Sequence, residues 1–439
     1  MVLFCLIISL FGILSLEYLL LKRDFANPAF LFTFGFFFAS LILSCFTQKW
    51  NVELHWTTFG IICIGSIGCF LGAFISSKIN KSSLKISFVD VESTPMKLIS
   101  LKGLIFLFFL QFVMYLLRMY LMQRYYGGSI SAALVAHTYA LKRESEMLFV
   151  MPHGLNFLYS ISSLVGFVCA FLLPYYLMFK KIPRRYKFWL GANYILCLMG
   201  SLLSSGRTAM LLMIVSFFVF YLITMNLRSI KIKLNIILKY FFVIFFFLYS
   251  FQFVGFLIGR EDSEEQWFDT VGIYVGAEIQ NLDDFIEGPE FIKPLEKWGF
   301  FSLGPFYKKY DFSFDEKKWN YYHRSFINFN TRNGYSLGNV KTALQYYWHD
   351  FGLIGVFIIC FFMGGGMQWL YIQVMNSRKI WVKGIMSPYA FVFSMLICRC
   401  FLSFFSEQFL RSAINMLTPN FWINYLAIYI ILYKKIAFR

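Results

Sequence analysis

The sequence is poor in charge. Only 14% of its 439 residues are Asp, Glu, Lys or Arg, against roughly 25% in a soluble domain. That shortage excludes an ordinary water-facing surface for most of the chain. His is rare as well, at five residues, and no HExxH or other close-spaced metal motif appears. The nine Cys (Cys5, Cys45, Cys63, Cys69, Cys169, Cys197, Cys360, Cys398 and Cys400) all lie inside apolar runs. None forms a CxxC pair or a Cys/His cluster, and the long segment 260–337 has no Cys to cross-link. A structural zinc site and a disulfide framework are therefore not expected, and the thiols read as small core hydrophobes. No nucleic-acid motif accompanies the net charge of +17, so nucleic acid is not an expected partner. An internal repeat is missing too, which weakens the reading as an inverted-repeat transporter.

What the chain does contain is apolar: 59% of its residues are hydrophobic, mean hydropathy is +0.63, and Phe alone appears 57 times. Lipid must be the solvent for most of it. A membrane-crossing helix needs about 20 apolar residues. Stretches of that kind occupy 2–21, 28–47, 57–77, 103–122, 155–179, 188–204, 208–226, 238–259, 350–374, 386–404 and 419–433. The first has no basic residue before it and no small-residue cleavage site after it, so it reads as a membrane helix rather than a cleaved signal peptide. The last is short enough to be tilted or re-entrant.

Lys and Arg fall in clusters between these runs. Loops 22–27, 78–102, 180–187, 228–239, 376–384 and 434–439 hold 22 of them. The short alternate loops hold only Lys49, Arg124, Lys142, Arg143, Arg207 and Arg411. The positive-inside rule makes the first set cytoplasmic. The N-terminus is then outside and the C-terminus inside, with 260–337 on the outer face.

That outer segment holds 14 of the chain's 23 acidic residues and many aromatics, Trp298, Trp319, Tyr321 and Tyr322 among them. So much apolar material in 78 residues should fold, as short helices separated at Gly288-Pro289, Pro294 and Gly304-Pro305. A second outer loop, 123–154, contains SISAALVAHTYALKRESEMLF, whose spacing predicts an interfacial amphipathic helix. The expected fold is an all-α polytopic membrane protein with about eleven transmembrane helices and a large, mainly helical outer loop. Residues 1–259 form a membrane domain of eight helices, 260–337 the large loop, and 338–439 the C-terminal membrane helices.

Charges inside lipid cost about 2.5–3.5 kcal/mol each on insertion scales. Glu17 and Lys239 lie close enough to a cytoplasmic helix end to reach it. Arg118, near the outer end of its helix, either snorkels outward or binds an anion. Arg399, deep in SMLICRCFLSFF, needs an anionic partner from another helix or a ligand. Arg207, in LLSSGRTAMLL, adds positive charge at the positive end of a helix dipole. That favours a bound anion over a turn side chain merely facing water. The stretch HRSFINFNTRNGYSLGNVKTALQYYWHDFGLIGVFIICFFMGG brings His323, Arg324, Arg332, Lys341, His349 and Asp350 together before a membrane helix. His349 and Asp350 are either catalytic there or a helix cap with its satisfied partner.

These residues resemble the Wzy-type oligosaccharide repeat-unit (O-antigen) polymerases. The resemblance rests on SSGRTAMLLMIV, on GNVKTALQYYWHDFGLIGVFIICFFMGG and on the layout of many helices with two sizeable outer loops. It implies an inverting, metal-independent glycosyltransferase with no cofactor, in the cytoplasmic (inner) membrane with its site facing outward. Such an enzyme moves a glycan from undecaprenyl diphosphate onto the non-reducing end of a fresh lipid-linked repeat unit. A chain-length regulator protein is a further expected partner. Fixed guanidinium groups would hold the diphosphate leaving group, with Arg207 first and Arg118, Arg399, Arg324 and Arg332 behind it. His349, Asp350 or His323 would accept the proton of the attacking hydroxyl. A flippase for the same lipid-linked unit and an O-antigen ligase are the alternative readings. A membrane acyltransferase is a third, for which no Ser/His or His/Asp constellation speaks.

Overall fold

The structure is a computed structural model describing residues 1–80, 98–142, 149–178, 182–203, 207–227, 267–288, 297–381 and 384–434. The expected span 238–259 and Gly206 lie outside the described residues, as do Arg143, Glu144 and Glu146. The rest is mostly helical. In chain order the first helices are α1 (Val2–Leu20), α2 (Pro28–Ser44), α3 (Trp56–Ile79), α4 (Leu101–Tyr126) and α5 (Ile130–Lys142). Next come α6 (His153–Met178), α7 (Arg184–Leu202) and α8 (Arg207–Leu227). The segment after them carries α9 (Trp267–Val275), α10 (Ala277–Glu287), α11 (Gly304–Tyr310) and α12 (Glu316–Phe326). A hairpin of β1 (Asn330–Arg332) and β2 (Tyr335–Gly338) follows. The chain ends with α13 (Leu344–Met375), α14 (Arg378–Trp381), α15 (Pro388–Phe401), α16 (Phe409–Met416) and α17 (Pro419–Tyr433).

Six of these helices, α1, α3, α4, α6, α8 and α13, are long and apolar enough to cross a membrane. A seventh span results if α16 and α17, bent by 76°, count as one. The protein is thus a multi-pass membrane protein. The stretches expected at 28–47 and 386–404 form shorter apolar helices, and α7 begins with Arg184, Arg185 and Lys187. Large apolar side chains point outward along the spans, for example Phe4, Phe11, Ile354 and Phe362. In water such a surface would aggregate, whereas in lipid it costs nothing.

The helices pack into two compact units. The first comprises Met1–Leu84, Phe268–Asn376 and Leu396–Leu417. Its centre is the α3–α13 crossing, where small residues let two backbones touch. A Cβ on Gly72 would lie 1.9 Å from the Phe361 carbonyl oxygen, and one on Gly364 2.0 Å from that of Cys69. This is how membrane helices gain packing without a hydrophobic drive between them. Polar pairs tie α1 to α2 and the turn between them to α13: Thr33 donates to Glu17 (2.8 Å), Asn27 to Gln368 (2.9 Å), and Tyr371 to Asp24. Asn27 also caps α2, accepting from the Ala29 amide, with Pro28 at the first helical position.

The segment from α9 to β2 folds onto this unit rather than dangling. Helix α10 has a largely engaged polar face. Asp283 accepts from the His55 amide and pairs with its ring at 2.9 Å. Asn281 donates to the Leu337 and Val340 carbonyls, and Arg332 pairs with Asp284 at 3.0 Å. The hairpin adds a strand pair to a segment expected to be mainly helical. Its two-residue turn is Asn333-Gly334, both at positive φ (48° and 78°), the conformation that a tight hairpin between right-twisted strands requires.

The second unit comprises Lys85–Trp267, Ser377–Met395 and Thr418–Arg439. Here α6 packs on α7 and α8, and α4 on α7 and α17. Gln111 donates to Asn193 (2.6 Å) and Asn193 to the Leu104 carbonyl (3.1 Å), joining α4 to α7 through a buried amide pair. The amphipathic reading of 123–154 holds for α5, which buries Ala133, His137 and Ala140 on one stripe. Each unit gathers segments from distant parts of the chain, since long-range packing rather than chain order sets the grouping.

Candidate functional site

A group of titratable side chains in the first unit surrounds the start of α13. Gly352 adopts φ 66° and breaks this helix after its second turn, a conformation that costs any residue with a Cβ. His349 and Asp350 sit just before the break. The Asp350 carboxylate accepts from the amides of Phe301 (3.1 Å) and Ser302 (2.6 Å) and lies 3.2 Å from His349 Nδ1. Both side chains are sealed off, with 0% and 1% exposure. His349 is boxed edge-on by the rings of Phe301 and Phe326, at 5.0 and 5.2 Å. This arrangement holds the 299–302 turn to α13, and an attacking hydroxyl has no path to either group in this conformation.

His323 lies on α12, half-buried, stacked on Trp319 at 4.4 Å and 3.4 Å from the Tyr346 hydroxyl. Phe300, Phe301 and Phe326 form the core beneath it. Lys341 is buried and donates to the Phe326 and Asn328 carbonyls. Burial pushes its pKa down to about 8. Arg332 is occupied with Asp284 and the Asn51 carbonyl, which makes it a strut of the hairpin. Arg324 lies on α12, and its side chain is outside the described residues.

Glu407 and Lys309, which sequence reasoning passed over, complete the picture. Glu407 lies between α15 and α16, half-buried. Its Oε1 accepts from the Leu410 amide (2.7 Å) and the Tyr347 hydroxyl (3.4 Å). Burial pushes its pKa up to about 6, against the lowering effects of the Leu410 amide, the Arg411 charge and the Tyr347 hydroxyl. The same carboxylate acts electrostatically on Arg399, which is buried on α15. Arg411 lies in turn close enough to Lys309 to lower the lysine's pKa, second to burial, and Lys309 donates to Asn415. Arg399 and Arg411 thus lie within electrostatic reach of the Glu407 carboxylate, and Lys309 lies beyond Arg411. Like charges held together are costly unless an anion joins them.

In the second unit, Arg118 lies with its guanidinium 4.5 Å from the Tyr159 ring centre, a cation–π contact. Its Nε is buried and finds no hydrogen-bond partner among the described residues. Above it α5 contributes His137, 3.2 Å from the Tyr126 hydroxyl. Burial, then the Arg118 charge, pushes His137 down to about 4, so it stays neutral. Arg207 is the first residue of α8, as expected, and its side chain lies outside the described residues. The expected site residues therefore divide between the units: Arg118 and Arg207 in one, His323, Arg324, Arg332, His349, Asp350 and Arg399 in the other. No group of three or more His, Cys, Asp or Glu with metal-binding geometry occurs among the described residues. Comparison with protein-family models, curated proteins and solved structures finds no match.

Proposed function

We propose that this chain is a polysaccharide polymerase, a membrane glycosyltransferase that joins undecaprenyl-diphosphate-linked repeat units at the outer face of the cytoplasmic membrane. The observation that carries the reading is the charged neighbourhood of Glu407, in which Arg399 and Arg411 act on the carboxylate and Lys309 lies beyond Arg411. It adjoins a folded, aromatic-rich segment. Glycosyl transfer from a diphosphate needs this combination: fixed positive charge for a leaving group that gains negative charge, and aromatic faces for sugar rings. Arg118, with its unsatisfied Nε, offers a second anion-holding position in the other unit. Eleven spans, an external N-terminus and an outward-facing site belong to the same proposal, supported by the distribution of Lys and Arg between loops.

A flippase is the second reading. Buried polar pairs among the helices of the first unit, Glu17 with Thr33 and Asn27 with Gln368, favour it, because intramembrane polar groups commonly mark transport paths. Deletion of the gene in its native strain, followed by restoration, separates the two on a gel of surface glycan. A polymerase leaves glycan of a single repeat and no ladder. A flippase leaves no surface repeat, with lipid-linked units held inside. Polymer accumulating on the carrier lipid outside would mean a ligase, and an unchanged ladder would refute the proposal.

A further inference from the structure

Resting on the polymerase reading, we propose that Glu407, and not His349, Asp350 or His323, takes the proton from the attacking sugar hydroxyl.

The argument is one of access and company. A base must come within about 3 Å of the proton it removes. His349 and Asp350 have no exposed side-chain surface to speak of, and Asp350 is committed to two backbone amides. Glu407 is half-buried, and it lies in the short break between two helices rather than in the packed interior. The groups facing it come from three elements: Tyr346 and Tyr347 of α13, Arg399 of α15, and Arg411 of α16, with Lys309 of α11 beyond Arg411 and Asp350 beyond Tyr346. A carboxylate with only surface cations around it would be strongly acidic and a poor base. Here burial outweighs the cations and keeps proton affinity close to what catalysis near neutrality requires.

The plain alternative is that Glu407 only caps α16, whose Leu410 amide it holds. A cap needs neither two arginines within electrostatic reach nor a tyrosine hydroxyl. The proposed step balances. The acceptor O–H bond breaks and its proton goes to the Glu407 carboxylate, while the oxygen forms the new bond to the donor's anomeric carbon. That carbon's bond to the diphosphate oxygen breaks, and its electron pair leaves with undecaprenyl diphosphate. The protonated Glu407 then returns its proton to water.

The experiment uses the full-length protein in liposomes with the native strain's undecaprenyl-diphosphate-linked repeat unit. Glu407→Gln keeps an oxygen for the Leu410 amide and the Tyr347 hydroxyl but cannot accept a proton. The rate of transfer should fall at least about a hundredfold, with donor KM little changed. The wild-type rate should rise with pH through about 6, a limb that the Gln variant lacks. Glu407→Asp, still ionisable, should recover part of the rate. An active wild type with a Gln variant within tenfold of it and the same pH profile would overturn the role of Glu407 alone. A wild type that transfers nothing, in a strain whose ladder is also unaffected by the deletion, would overturn the polymerase reading and Glu407 with it.

Discussion

Replacing Asp350 with Ala should destabilise the first unit while telling little about chemistry, and the size of the effect can be worked out. The carboxylate accepts two amides, from Phe301 and Ser302, and lies beside His349 Nδ1. Its side chain is 1% exposed, so an Ala there leaves those donors facing a small cavity. Each buried donor left unsatisfied costs about 1–3 kcal/mol. Both amides are only partly buried, so the lower half of that range applies and the total is ~2–4 kcal/mol. Asn keeps one acceptor oxygen but loses the charge, for ~1–2 kcal/mol. The expected order of melting temperatures is wild type, then Asp350→Asn, then Asp350→Ala. The Ala variant should melt on the order of 5–10 °C low, from the usual size scaling. A thiol-reactive dye reports this directly, because Cys63, Cys69, Cys360, Cys398 and Cys400 are buried and free. An Ala variant melting with the wild type would refute the anchoring argument. An Asn variant that melts normally yet makes no polymer would return Asp350 to the chemistry.

His137 supplies a pH test in the other unit. Its folded pKa, about 4, lies below the ordinary 6.5, so the unfolded chain binds more protons between those values. Stability is therefore full above pH 6.5 and declines by ~3 kcal/mol as pH falls towards 4; His137→Phe should flatten that dependence in a melting series. Gly72→Ala should disrupt the α3–α13 crossing, since the new Cβ would sit 1.9 Å from the Phe361 oxygen. A loss of folded protein on size-exclusion chromatography is expected, and normal yield with an unchanged melt would contradict the close approach. Arg207→Ala should abolish polymer at unchanged protein level, and a normal length distribution on the glycan gel would remove Arg207 from the mechanism.

Much of the helical frame was legible because lipid imposes a simple rule: every backbone group must bond within its own helix, so apolar runs of sufficient length become helices. The expected runs at 2–21, 57–77, 103–122, 155–179 and 208–226 coincide within a few residues with α1, α3, α4, α6 and α8. Helix α13 starts earlier than expected, at Leu344 rather than 350, because its first turns are amphipathic and pack on the segment from α9 to β2. The hairpin was legible but passed over: Asn333-Gly334 between short alternating stretches is a strong local turn signal. Aromatic richness masked it by suggesting helices throughout. The grouping into two units had no sequence signature, since it depends on which small residues meet across distant helices, such as Gly72 with Phe361.

The site was legible in its cations and not in its carboxylate, and scarcity explains both. Arginines stood out at Arg118, Arg207 and Arg399 because charge is expensive in apolar runs. The same test applied to acids would have been sharper, because outside 260–337 the chain has only nine: Glu17, Asp24, Glu53, Asp90, Glu92, Glu144, Glu146, Asp350 and Glu407. Of those beside or within described helices, Glu17 is held by Thr33, Asp24 by Tyr371 and Asp350 by two amides. Glu407, by contrast, lies in a break between two helices, within reach of the charges of Arg399 and Arg411. In SFFSEQFLR it resembles an ordinary residue of a short loop. What sets it apart is the fold, which brings α11, α13, α15 and α16 to one place and sets burial against charge there.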